Sequence, residues 1–200
     1  FAPQNKGKIV VLSEMRDTIG VILLGQGVDI TKVTEDQFMN AVDFMAKKIS
    51  DGWIRGVKGN EYAEDLTSGD ATAVIGWSGD MFILASENEG KFDFAIPEAG
   101  GTISGDNLII PSTASATGKA NGEKMINYYY EPAVAAEVAA YVNYVCPVKG
   151  AQAEMEKIAP ELANSEYIFP TEKTASRLNV FRSLTPDEET KWAEAFQQAQ

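Results

Sequence analysis

The chain has 200 residues, 44% of them hydrophobic, and carries a formal net charge of -12. That length suffices for one large domain or two small ones, and no apolar run approaches the roughly 18–20 residues that a membrane helix needs. Strong acidity argues against nucleic acid as a partner. The lack of any histidine excludes His-based triads, His–zinc sites and a His general base within the chain.

The opening FAPQNKG reads as the tail of a longer connection that feeds a strand, so an upstream part of the protein is expected. KIVVL (8–12) has the continuous apolar character of a buried strand. Ser13 suits the N-cap of a helix behind it, with Glu14 and Asp17 in the first turns, where acids complement the dipole. The next helix, VTEDQFMNAVDFMAKKISDG, carries a capping box in Thr34 and Gln37. Phe38, Val42, Met45 and Ile49 recur on it at helical spacing, and Gly52 ends it. WIRGV is a short strand, and NEYAEDLTSGD a short helix closed by Gly69. ATAVIGW (71–77) reads as a buried strand delivering Trp77, followed by a helix over SGDMFILASENEG (78–90). KFDFAIP (91–97) alternates like a strand. EAGGTISGD is a glycine-rich loop, and NLIIP (107–111) is a strand stopped by Pro111.

GEKMINYYY and PAVAAEVAAYVNY are helices, the second with Pro132 at its first position. CPVKGAQAEMEKIAP gives a further helix, and SEYIFP a short strand or extended segment. Thr185, Pro186 and Glu188 open the last helix with a second capping box. The alternation of strands and helices predicts an α/β layered fold, whose ligands lie outside the carboxyl ends of the strands. Glu14 and Asp17, then Trp77, then the loop 98–106 each follow such an end, so the three are expected on one rim.

Each candidate has a plainer explanation beside it. Glu14 and Asp17 can serve the helix dipole with Arg16 as partial counter-charge, or face a cation. A glycosidase needs two-sided carboxylate geometry that one helix turn does not provide. Trp77 is either core or a cation–π wall, and Asp80 reads as a first-turn acid. The glycine loop runs into a strand rather than a helix, so it is no phosphate cradle, and no dinucleotide or P-loop motif occurs. Asp106 is a turn residue or a ligand contact. Tyr144 stands at a helix end, where its hydroxyl can reach a cleft. Cys146 is the only cysteine, which excludes an internal disulfide and a multi-thiolate metal site. It reads as a small buried residue beside Pro147. No cofactor motif or metal-ligand cluster is found.

In order and spacing, GKIVVLSEMRDTIG, SGDATAVIGWSGD, FDFAIPEAGG, GDNLIIP, INYYYEPAVAAEVAAYVNYVCPV and YIFP resemble the periplasmic spermidine/putrescine-binding proteins of ABC importers. The resemblance covers nearly the whole chain and matches about the last three-fifths of that family. It implies a periplasmic-binding-protein-like (type II) α/β fold, a mixed sheet flanked by helices, with part of a second lobe. Residues 1–103 and 150–200 would form the C-terminal lobe, and 104–149 would belong to the first lobe.

The implied function is capture of a polyamine in an inter-lobe cleft and its delivery to membrane permease subunits, without catalysis. The implied location is periplasmic or extracellular, either free or lipid-anchored through an upstream N-terminus. Carried over by position, Glu14, Asp17 and Asp106 would hold ammonium groups, while Trp77 and Tyr144 would stack on the methylene chain. Arg16 is expected to brace the acids. The sequence departs from the family at Ser104, where a tryptophan is common, and in lacking a clear match to a C-terminal glutamine. Both departures leave a shorter diamine or another cationic metabolite open. The isolated chain is expected to expose apolar surface over 106–148 and to self-associate through it.

Overall fold

The computed structural model describes residues 1–88 and 90–200. In chain order its elements are β1 (Ile9–Leu12), α1 (Met15–Gly25), α2 (Glu35–Ser50), β2 (Ile54–Lys58), α3 (Tyr62–Ser68), β3 (Ala73–Val74), α4 (Ser78–Glu87) and β4 (Gly101–Thr102). There follow α5 (Ala116–Tyr129), α6 (Pro132–Val142), α7 (Ala151–Ile158), α8 (Pro160–Ala163), α9 (Glu172–Ala175), β5 (Leu178–Asn179) and α10 (Pro186–Gln198). They gather into two compact units. One holds Phe1–Trp77, Ala95–Ser104 and Ser176–Gln200, and the other Ser78–Phe94 and Gly105–Ala175.

In the first unit β1 is the middle strand of a parallel sheet ordered β2-β1-β3. Val10, Val11 and Leu12 are all buried, as a strand covered on both faces requires, and this explains a continuous apolar run instead of alternation. The capping boxes of α2 and α10 both form, at Thr34–Gln37 and Thr185–Glu188. Between them the helices bury Phe38, Ala41, Val42 and Met45 from α2, and Trp192 and Phe196 from α10. The Trp192 ring stacks on Phe38 with centroids 4.2 Å apart, so the two capped helices share one core. A second parallel pair, β4 with β5, matches Gly101 to Leu178 and Thr102 to Asn179.

The second unit is helical. Its core sets Ala135, Ala136 and Ala139 of α6 against Ala151 and Met155 of α7, with Ala163 and Ile168 closing it. The small side chains let the helices approach closely. Helix α5 buries no residue, and Leu108, Ile109, Met125, Tyr128 and Tyr141 are each more than half exposed. Compared with the expected lobe boundaries, 78–94 and 150–175 group differently. Tyr167 provides one reason: its hydroxyl donates to the Phe94 carbonyl at 2.8 Å, and its ring meets Phe82 and Phe94.

Several expected elements differ. Ser13 is not the cap of α1; Glu14 occupies that position without a side-chain cap bond, and the Ser13 N–H continues the β1–β2 pairing by donating to the Lys58 carbonyl at 2.8 Å. The strand expected over 71–77 reduces to Ala73–Val74. Residues 91–97 alternate between exposed and half-buried, yet form no strand. Alternation reports one-sided burial, and a ladder also needs a partner. Residues 107–111 form no strand either, and SEYIFP is a series of turns. The strand β4 lies instead inside the expected glycine loop. Helix α5 starts earlier than expected, capped by the Ser115 side chain, which accepts from the Gly118 N–H. The helix expected over 78–90 ends at Glu87; its Glu89 lies outside the described residues.

Candidate functional site

The candidate residues fall into two sets, one in each unit. Glu14, Asp17 and Trp77 belong to the first, Asp106 and Tyr144 to the second.

In the first unit, β1 ends at Leu12 and α1 begins at Met15, which puts Glu14 at the N-cap and Asp17 in the first turn. The positive end of the helix favours both acids. Glu14 is exposed and accepts from the Ser13 hydroxyl at 3.2 Å. Asp17 is half-buried. The Thr102 hydroxyl donates to its Oδ1 at 3.4 Å, and the Trp77 side chain is a second donor to it. Burial raises the Asp17 pKa above the usual carboxylate value, and the negative charge of Glu14 raises it further. The hydrogen bonds from Thr102 and Trp77 and, least, the charge of Arg16 oppose this.

Arg16 does not brace these acids as expected. Its guanidinium makes a two-armed pair with the Glu189 carboxylate of α10, with Nη1 at 3.0 Å from Oε1 and Nη2 on Oε2. Among the described residues, no cation lies at ion-pair distance from Asp17. Trp77 follows β3 and is held at its backbone, where its N–H donates to the Tyr62 hydroxyl at 3.2 Å. The Trp77 and Tyr62 rings lie 6.1 Å apart. The first unit therefore presents a partly desolvated carboxylate, a second acid one helix turn earlier and an indole. That combination suits an alkylammonium, which needs negative charge at its head and an apolar or π surface along its chain.

The strand ends explain only part of this placement. β1 and β3 are parallel neighbours, so their carboxyl ends lie on the same side, carrying Glu14, Asp17 and Trp77. The loop 98–106 follows no strand of that sheet. It reaches Asp17 through Thr102 of β4, a residue the sequence reading passed over inside GGTISGD.

In the second unit, the Tyr144 hydroxyl donates to Oδ1 of Asp80 at 2.9 Å. Burial raises the Tyr144 pKa well above that of a free phenol; the Asp80 hydrogen bond and charge add to this, and the charge of Asp106 contributes least. Asp106 is exposed. Asp80 does stand in the first turn of α4, as its dipole explanation requires, but it is also the partner of Tyr144. Its position three residues after Trp77 was the available signal. Gly79 was also missed. A Cβ on it would fall 2.3 Å from two Tyr144 ring carbons, so the bare backbone there is what admits the ring.

No group of three acids or cysteines suited to holding a metal occurs among the described residues, and none of the described helices is long and apolar enough to cross a membrane.

Comparison with known proteins gives a consistent result. The family model of the bacterial extracellular solute-binding proteins matches residues 1–166. The chain is 26% identical over 174 residues to the spermidine/putrescine-binding periplasmic protein of Escherichia coli (strain K12), covering 87% of this chain and 48% of the relative. It is 26% identical over 168 residues to the putrescine-binding periplasmic protein PotF of the same organism, covering 82% of this chain and 43% of the relative. A solved chain from Listeria monocytogenes, provisionally a spermidine/putrescine ABC transporter, superposes with a TM-score of 0.83 at 25% identity, over 98% of this chain and 58% of that one. The substrate-binding protein PotD from Streptococcus pneumoniae shares the fold, with a TM-score of 0.78 at 21% identity, over 99% of this chain and 59% of that one.

The chain belongs to the bacterial extracellular solute-binding protein family, with a periplasmic or extracellular location. That family consists of solute-binding proteins and not enzymes. The chain spans about half the length of the curated relatives it matches.

Proposed function

We propose that this solute-binding protein captures a polyamine, spermidine or putrescine, and delivers it to the permease of an ABC importer. The observation that carries the proposal is Asp17. It is a half-buried carboxylate beside the Trp77 side chain, and the adjacent arginine is engaged by Glu189. Such a group gains most from an incoming cation, because the cation supplies the charge that burial has left uncompensated. Glu14 is the second acid for the same amine, and Trp77 the aromatic surface for its methylenes. In the other unit, Asp106, Tyr144 and Asp80 form a second acidic and aromatic group of the same chemistry.

Within this reading, residues 1–103 and 150–200 are assigned to the C-terminal lobe of a two-lobe protein, and 104–149 to the first. The exposed Leu108, Ile109, Met125, Tyr128 and Tyr141 support self-association of the 1–200 chain when it is isolated. A clean monomer on size-exclusion chromatography without detergent would remove that part of the proposal.

The direct test is calorimetric titration of the full-length protein with spermidine and with putrescine. The expected result is saturable binding at micromolar Kd or tighter, about -8 kcal/mol or better, that is lost in Asp17→Asn and Trp77→Ala. Absence of heat with both amines would redirect the same residues to another cationic metabolite, to be sought in a panel of mono- and diamines.

A further inference from the structure

Asp17 and Gly20 lie three residues apart on α1, so they share a face of the helix. A Cβ built on Gly20 would fall 2.7 Å from the Thr102 methyl carbon, closer than carbon atoms approach. Thr102 is β-branched. With its methyl seated over Gly20, the other branch, the hydroxyl, reaches Asp17 Oδ1 at 3.4 Å.

The backbone of Thr102 is fixed as well. The Gly101 N–H donates to the Arg177 carbonyl and the Ile103 N–H to the Asn179 carbonyl, both at 3.0 Å. Gly100 sits at a φ of 104° against the Arg177 carbonyl, where a side chain would collide at 2.7 Å. A glycine on the helix and a glycine at the strand entry thus set one hydroxyl against one carboxylate.

We infer that Thr102 is a positioning residue for the cation-binding carboxylate of Asp17, that it holds this group ionised and aimed, and that Gly20 is the notch that admits it. The inference rests on the proposed role of Asp17 as a ligand-binding acid. The groups that face Asp17 are Glu14 at the N-cap of α1, Arg16 on α1, the side chain of Trp77 and the hydroxyl of Thr102. Glu14 opposes ionisation and Arg16 is occupied by Glu189, so the neutral donors Thr102 and Trp77 carry most of the support for the charged form.

Thr102→Val keeps the branched shape over Gly20 and removes the donor, whereas Thr102→Ser keeps the donor and removes the methyl. Two readouts on the full-length protein are needed: the titration of the Asp17 side-chain carbon by carbon-13 NMR, and the pH profile of putrescine affinity. In Thr102→Val, the Asp17 midpoint is expected to move up. Affinity should fall behind the unmodified protein by roughly two- to tenfold, the range of one lost hydrogen bond, and the deficit should widen as pH falls through the Asp17 midpoint. Thr102→Ser should retain the original midpoint and profile. Gly20→Ala, which displaces Thr102, should move the midpoint in the same direction as Thr102→Val, and the two changes combined should add little.

An unchanged Asp17 midpoint in Thr102→Val would overturn the inference. If the unmodified protein binds neither amine, the polyamine reading fails on its own terms, while the NMR titration still decides the role of Thr102.

Discussion

Gly79→Ala offers a stringent check on the second unit. The new methyl carbon would lie 2.3 Å from Cδ2 and Cε2 of Tyr144 and 2.8 Å from Cζ. Carbon atoms in contact sit about 3.5–4.0 Å apart, so the ring must retreat by roughly 1 Å or more. The Tyr144–Asp80 hydrogen bond, now 2.9 Å, does not survive a retreat of that size in its present geometry. Overpacking of this kind costs about 1–3 kcal/mol, and a lost hydrogen bond about 0.5–1.5 kcal/mol. Replacing a helical glycine by alanine returns up to about 1 kcal/mol. The net expectation is destabilisation by roughly 0.5–4.5 kcal/mol.

Urea denaturation followed by circular dichroism measures this change, and the Tyr144→Ala background isolates its cause. With the ring gone, Gly79→Ala should be neutral or slightly stabilising. An equal loss in both backgrounds would show that Gly79 matters for some reason other than the ring, and no loss in either would show that Tyr144 is not packed there.

Asp17→Asn should separate stability from binding. The folded-state pKa of Asp17 lies above the ordinary aspartate value because burial disfavours the charge. Ionising it therefore costs folding stability, and that cost develops as pH rises from the unfolded pKa through the folded one and persists above it. At neutral pH the Asn variant should unfold at an equal or higher urea midpoint while losing polyamine binding; a lower midpoint would contradict the desolvation argument.

Glu188 has the opposite sign. The Arg182 guanidinium and then the Thr185 backbone N–H hold its carboxyl down to about 2, well below the ordinary glutamate range. Its contribution is complete above the unfolded pKa and is lost as pH falls towards 2. Glu188→Gln should flatten that part of the acid-unfolding profile, and an unaltered acid limb would deny Glu188 this role.

The features legible from the residues alone are local. Both capping boxes, at Thr34–Gln37 and Thr185–Glu188, depend on residues three apart and were legible as written. So were the buried run of β1, the apolar spacing of α2 and Pro132 at the start of α6. The acids at the head of α1 were legible too, since a helix start and a strand end meet there within a few residues.

Tertiary structure decided what depends on distant partners. KFDFAIP alternates like a strand and NLIIP has a strand's apolar composition, yet neither pairs with a strand among the described residues, while two residues of the glycine loop do pair, with a segment more than 70 residues later. Arg16 was read as a counter-charge for its neighbours and is taken by Glu189, 173 positions away. Thr102 reaches Asp17 across 85 positions, and Tyr144 reaches Asp80 across 64. Gly20 and Gly79 matter only because another element lies on them, and nothing in a glycine's own neighbourhood records that. Capping and periodicity are short-range properties of one segment. A ladder, an ion pair or a notch is a relation between two segments, and it exists only once the chain has brought them together.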